Sequence, residues 1–271
     1  MPPLLIVNPR SGDGGLAELL AAAAARAIPV HTLEEGDDAA KIARGADADA
    51  LAVAGGDGSL AAVAAVAIEL DLPFACVPFG TRNHFARDVG LDRSDPAATL
   101  DALVDGSERR IDVGRANDRL FLNNVSLGVY AQLVHRREHH RRRRDAFARL
   151  RALGIAATHR HPLGITVDGE PVTARVVLIA NNAYALDVLS IGERARLDEG
   201  QLHLYAPRFD SVRGVLKPTW DERAGDRFTI DARAGSLRAA FDGEPGRLAT
   251  PIDFRIEPGA LRLLVPSDPL A

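Results

Sequence analysis

The 271-residue sequence predicts an α/β fold in two parts, a mostly parallel sheet wound with helices followed by a mainly antiparallel β region. Three observations carry this. Residues 1–110 alternate short apolar runs with helical stretches of about ten residues, the pattern of βαβ units around a buried parallel sheet. After about residue 111 the pattern becomes short strands separated by Gly and Pro. No repeat or low-complexity linker separates the halves, so two packed domains with a site between them are expected.

The elements follow in order. "LLIV" reads as a first buried strand, and "GLAELLAAAAARA" as the helix after it. "IPVHTL" and the helical "DDAAKIARGA" come next, then "ALAVA", the helical "SLAAVAAVAIEL", the strand "FACVPF" and a helix-like "PAATLDALVDG". In the second half "RIDVGRANDRLFLNNVSLGV" is strand-like. "LGITVDGEPVTARVVLIANN" alternates around Asp168-Gly169, as a hairpin does. "QLHLYAP", "RFTIDA", "LRAAFDGEP", "IDFRIEP" and "LRLLVP" complete the set.

Composition is that of an ordinary globular protein, 46% hydrophobic and 26% charged, with a net charge of −4. One cysteine, Cys76, excludes an internal disulfide and fits a reducing compartment. The opening "MPPLLIVNPRSG" has no basic n-region, and the longest apolar stretches fall short of a membrane span. A cytoplasmic protein is expected. Charge is unevenly spread: residues 135–144, "HRREHHRRRR", hold six arginines, three histidines and one glutamate. From Asp145 the chain reads as an amphipathic helix with Ala146, Phe147, Leu150 and Leu153 on one face. Residues 135–153 therefore suit an anionic membrane surface, a solvated loop and core helix being the plainer reading. Nucleic acid is disfavoured, because the run has no interleaved aromatics.

Two glycine-rich stretches follow apolar runs. In "VNPRSGDGG", Asn8 and Pro9 form a turn, while Ser11 and Gly12 can present N–H groups to an anion at the start of the next helix. An ordinary strand-to-helix turn uses the same residues. In "LAVAGGDGSLAAV", Gly55, Gly56 and Gly58 allow close backbone approach, and a helix beginning near Ser59 adds its dipole. No lysine follows, so this is neither a GxxxxGK[ST] loop nor GxGxxG. Asp57 in the middle reads as a helix cap, or as a carboxylate that meets phosphates through a divalent cation.

With "VPFGTRNHFARDVG", the three stretches together resemble the diacylglycerol kinase catalytic family, which includes bacterial lipid kinases, sphingosine kinases and ceramide kinases. The matching residues are Asn8-Pro9-Arg10-Ser11-Gly12, Gly55-Gly56-Asp57-Gly58-Ser59, and Pro78-Phe79-Gly80-Thr81-Arg82-Asn83 followed by Phe85-Ala86-Arg87. "RIDVGRANDRLFLNNVSLGV", "LDEGQLHL" and "FDGEP" are similar to the family's later motifs. The resemblance implies a nucleotide-binding α/β domain over residues 1–112, with residues 258–271 returning to it, and a β-sandwich-like acceptor domain over 113–257.

It also implies ATP and Mg²⁺, and phosphoryl transfer to a membrane lipid, most plausibly diacylglycerol or a related glycerolipid. The protein would then work at the inner membrane surface, and a homodimer is compatible with this. By resemblance, Asn8, Ser11, Gly12, Thr32, Gly55, Gly56, Gly58, Ser59, Gly80, Thr81 and Asn83 line the nucleotide. Asp57, Asp112, Asp198 and Glu244 form the magnesium–water network. Asp57, Asp242 and Glu244 are the catalytic candidates, with either aspartate as general base. Asp168-Gly169-Glu170 repeats the Asp242-Gly243-Glu244 triplet and is read as a plain turn. His84 stands where the family motif has aspartate, and an imidazole cannot supply that charge to a hard cation. A catalytically weakened, membrane-associated nucleotide-binding homologue is therefore the first alternative, and a soluble-metabolite kinase of the NAD type the second.

Overall fold

A computed structural model describes residues 1–12, 14–80, 83–128, 162–185, 193–212 and 215–267. The chain divides into two compact units. The first comprises Met1–Val113, Gly192–Glu199 and Pro258–Ala271, and the second Gly114–Ile191 and Gly200–Glu257. Among the described residues, no helix is long and apolar enough to cross a membrane.

In the first unit the order is β1 (Leu4–Val7), α1 (Leu16–Ala25), β2 (Val30–Thr32), α2 (Ala39–Arg44), β3 (Leu51–Gly55), α3 (Asp57–Glu69), β4 (Phe74–Pro78) and α4 (His84–Val89). A 3₁₀ turn (Ala98–Leu103) leads into β5 (Ser107–Ala116), which runs on into the second unit. Strands β2, β1, β3 and β4 lie side by side in that order, all parallel. The apolar runs are unbroken because both faces are covered. Leu5, Val7, Ala52, Ala54, Ala75 and Val77 pack with Leu19 and Ala23 of α1 and with Leu100. By alternation Ile6, Val53 and Cys76 face the other way, where α3 packs on β3 and β4. Reversal of the strand order between β1 and β3 creates a switch point at the carboxyl ends of the strands, where open α/β sheets bind ligands.

The second unit continues with β6 (Arg119–Phe121), β7 (Asn124–Gly128), β8 (Ile165–Val167), β9 (Glu170–Val172), β10 (Val176–Asn181), β11 (Leu202–Val212) and β12 (Val215–Gly225). Then come β13 (Arg227–Ala232), β14 (Ser236–Phe241), β15 (Glu244–Ala249) and β16 (Ile252–Val265). The first residues of β16 pair with β13 in this unit, and Leu263 and Leu264 pair in parallel with β4 in the first. Strands β12-β11-β10-β7-β14-β15 form a six-stranded antiparallel sheet. Its inward residues, among them Val125, Leu127, Ile179, Leu204, Ala239 and Phe241, share one core with Ile165 and Val167 of β8, Ile230 of β13 and Phe254 of β16. Phe121 meets Phe254 edge to face at 6.4 Å between ring centroids. This is the sandwich-like part.

Candidate active site

Three loops of the first unit converge where β1, β3 and β4 end. Asn8 continues the ladder, its N–H bonding to Ala54 O at 2.8 Å. Its side-chain amide then reaches across to the Ser59 hydroxyl at 3.3 Å, and its Oδ1 accepts from Arg10 N–H at 3.1 Å. The first loop is thereby tied to the second. Ser59 uses its hydroxyl for that tie.

Helix α3 begins at Asp57, two residues earlier than the sequence suggests, with extended Gly56 as its N-cap. Asp57 is not the cap. It occupies the first turn, where a carboxylate faces the positive end of the helix dipole. It is 8% exposed, and its charge acts with burial to push the Cys76 thiol up.

The third loop fits against the second only because residue 80 is glycine. A Cβ there would stand 3.0 Å from both Gly55 O and Gly56 Cα. Asn83 brackets the same residue: its Oδ1 accepts from Gly80 N–H at 3.0 Å, and its Nδ2 donates to Gly80 O at 2.5 Å. Asn83 sits in the left-handed region (φ 41°), 3% exposed, as the N-cap of α4. Gly12 presses against the Phe79 ring, which a Cβ would strike at 2.6 Å. Asn8, Ser11, Gly12, Gly55, Gly56, Asp57, Gly58, Ser59, Gly80 and Asn83 thus form one cradle. Thr32 pairs with Val7 beside it and is exposed. Thr81 lies outside the described residues, as do residues 135–153.

Asp112 and Asp198 are held together in the same unit. Asp112 N–H donates to Leu197 O at 2.8 Å, and its buried Oδ1 accepts from Gly259 N–H at 2.8 Å. Asp198 is exposed and pairs with Arg196 at 3.0 Å, and both carboxylates favour the charged form of that arginine. Nearby in sequence terms, and unforeseen, is a buried ion cluster. Asp88 takes Arg87 Nη2 at 2.6 Å on one oxygen and Arg194 Nε at 2.8 Å on the other. It ties the segment 193–199 to α4.

In the second unit Asp242 and Gly243 form a two-residue hairpin between β14 and β15, with φ of 47° and 88°. The Asp242 carboxylate accepts three main-chain N–H bonds, from Leu122 at 2.8 Å, Asn123 at 2.7 Å and Asn124 at 2.9 Å. Glu244 opens β15 and is exposed. Beside this turn lie buried Asn123, Asn181 and Asn182, with Asn181 Nδ2 donating to Leu122 O at 3.0 Å. Asn124 Nδ2 reaches the Tyr184 hydroxyl at 2.8 Å. Only the doublets "NN" at 123–124 and 181–182 hinted at this cluster.

Among the described residues no three His, Cys, Asp or Glu side chains are gathered to hold a metal ion. Magnesium requires less than that, since it is commonly held by one or two carboxylates plus phosphate oxygens and water. A nucleotide triphosphate fits the cradle on its own terms: glycine backbone at a switch point, a 13-residue helix pointing its N-terminus there, and Asp57 in its first turn.

Residues 2–116 match the model of the diacylglycerol kinase catalytic domain. A diacylglycerol kinase of Mycobacterium tuberculosis (strain ATCC 25618 / H37Rv) is 36% identical over 124 residues, 42% of this chain and 40% of that protein. A probable YegS-like lipid kinase of Pseudomonas aeruginosa PAO1 is 39% identical over 132 residues, 45% of this chain and 43% of that one. The chain therefore spans about two fifths of the length of these curated relatives. A putative diacylglycerol kinase from Bacillus anthracis str. Sterne superposes with a TM-score of 0.74 at 20% identity, over 97% of this chain and 96% of that one. That likeness concerns the fold. Over residues 2–116 the chain is similar to the diacylglycerol kinase catalytic domain.

Proposed function

We propose that this protein is an ATP-dependent lipid kinase that transfers the γ-phosphoryl group to the hydroxyl of a membrane lipid, diacylglycerol or a related glycerolipid. The observation that carries the reading is the convergence of three loops on the N-terminus of α3 with Asp57 in its first turn. The lipid acceptor is supported by the names of the relatives matched over the first unit.

In this mechanism the N–H groups at the start of α3 and the helix dipole hold the triphosphate. Asn8, Ser59 and Asn83 keep the loops in register. Mg²⁺, when bound, would neutralise phosphate charge there, with Asp57 the carboxylate that would hold it. Asp57 accepts the proton of the attacking hydroxyl. Asp242, whose carboxylate holds the Leu122–Asn124 corner through three main-chain donors, is assigned a positioning role. Incubation of the purified protein with γ-labelled ATP, Mg²⁺ and a panel of lipids in mixed micelles tests the reading. Labelled lipid is expected, and its absence across glycerolipids and sphingoid bases overturns the assignment.

His84 favours one alternative, a homologue with weakened catalysis. It opens α4 where the resembling motif has an acid. If His84→Asp creates lipid phosphorylation that the natural protein lacks, that alternative holds.

A further inference from the structure

Among the described residues of the second unit, Arg119 lies over the Phe241 ring, 3.8 Å from its centroid, and other arginines meet carboxylates. Arg115 meets Glu257 at 2.8 Å, Arg223 meets Glu170 at 3.3 Å, Arg227 meets Asp253 at 2.5 Å, and Arg255 lies between Asp253 and Glu257. Arg233, Arg238 and Arg247 meet no carboxylate among the described residues, and all three are exposed. Arg247 bonds only the Ser236 hydroxyl, at 3.0 Å. Two of the three share one hairpin. Arg238 of β14 and Arg247 of β15 are direct cross-strand partners. Because Leu237, Ala239 and Phe241 face the core, both arginines project outward on the same face. Arg233 lies in the turn that feeds β14. Like charges directly opposed across a ladder oppose folding, so the fold carries a charge pair that it does not need for stability.

We propose that the outer face of the β14–β15 hairpin docks the protein on an anionic lipid bilayer. The inference rests on the membrane-lipid reading above and adds the surface that meets the membrane. The same hairpin carries Asp242-Gly243-Glu244 at its tip. Arg238 lies four residues before Asp242, roughly 13 Å along the strand, and Arg247 three residues beyond Glu244, roughly 10 Å. Headgroup contact at the arginines therefore brings the bilayer surface to within a lipid's reach of that turn. The rest of the outward row is Ser236, Pro245 and Ala249 with Ala240, which is buried, and none of these is an aromatic platform for bases. Strand β15 is also the sheet edge, and Pro245 lacks the N–H that an added partner strand would need.

Sedimentation of the full chain with phosphatidylglycerol–phosphatidylcholine vesicles, without nucleotide, tests the proposal. Arg238→Gln/Arg247→Gln is expected to bind about 25-fold more weakly, near fivefold per arginine, with affinity falling as salt rises. Arg238→Lys/Arg247→Lys should restore binding, and Arg227→Gln, at a paired arginine, should change it less than twofold. A double-Gln variant that binds like the natural protein, or a natural protein that prefers an oligonucleotide to these vesicles, overturns the proposal. Phosphorylation of lipid in detergent micelles is read separately: it should survive the double substitution. If no lipid is phosphorylated by any form, the kinase reading fails, while the vesicle result still decides the docking face.

Discussion

The second unit contains the triplet Asp-Gly-Glu twice, and the two copies share a backbone but not a role. Asp168-Gly169 joins β8 to β9, with φ of 52° and 83°, and Asp242-Gly243 joins β14 to β15, with φ of 47° and 88°. Both are tight two-residue turns of the primed kind that suits twisted strands. They differ in what surrounds the carboxylate. Asp168 is exposed and accepts one N–H, from Thr229 at 2.7 Å. Asp242 is buried and holds the whole Leu122–Asn124 corner through three. Glu170 is paired with Arg223, whereas Glu244 opens the strand that carries Arg247. A turn motif specifies its own backbone; its chemistry is supplied by segments about 120 residues away.

The contrast can be broken by substitution. Asp242→Ala leaves three main-chain donors without their acceptor and should lower unfolding free energy by about 3 kcal/mol or more, against less than about 1 kcal/mol for Asp168→Ala. Urea unfolding of both variants checks this, and equal losses would remove the distinction. Next in size, Glu244→Gln should slow phosphoryl transfer roughly tenfold (about 1.4 kcal/mol) while Glu170→Gln leaves the rate unchanged. Steady-state kinetics on micellar lipid, with matched melting curves, separates rate from folding. Gly169→Ala and Gly243→Ala should be indistinguishable, each costing on the order of 1–2 kcal/mol, because the left-handed backbone is common to both turns. A large difference between them would mean that the turns are not the same device. The smallest effect expected is a gain: Arg238→Gln should stabilise the fold by a few tenths of a kcal/mol by relieving the cross-strand repulsion with Arg247.

How far the sequence could be read depended on range. The parallel sheet was legible because each strand of the first unit is a continuous apolar run, and the two glycine loops because close approach leaves few residue choices. The antiparallel second half was legible from its alternation and turns. The start of α3 was misjudged by two residues, since an extended glycine can cap a helix and nothing local distinguishes Asp57 as cap from Asp57 in the first turn. The resemblance implies Asn83 as a nucleotide-site residue, whereas its grip on Gly80 is a matter of geometry. The corner held by Asp242 and the buried asparagines depend on contacts distant in sequence, which no periodicity encodes.

The buried bridge of Asp88 with Arg87 and Arg194 has a consequence for how the first unit opens. Two guanidinium groups share one carboxylate, with Arg194 and Asp88 buried and Arg87 partly exposed, so releasing the Arg194 end strands charge in the interior. The segment 193–199 and helix α4 should consequently come apart as a single cooperative step. In native-state amide hydrogen exchange, their protected amides would share one opening free energy, and Asp88→Asn would lower it for both segments together.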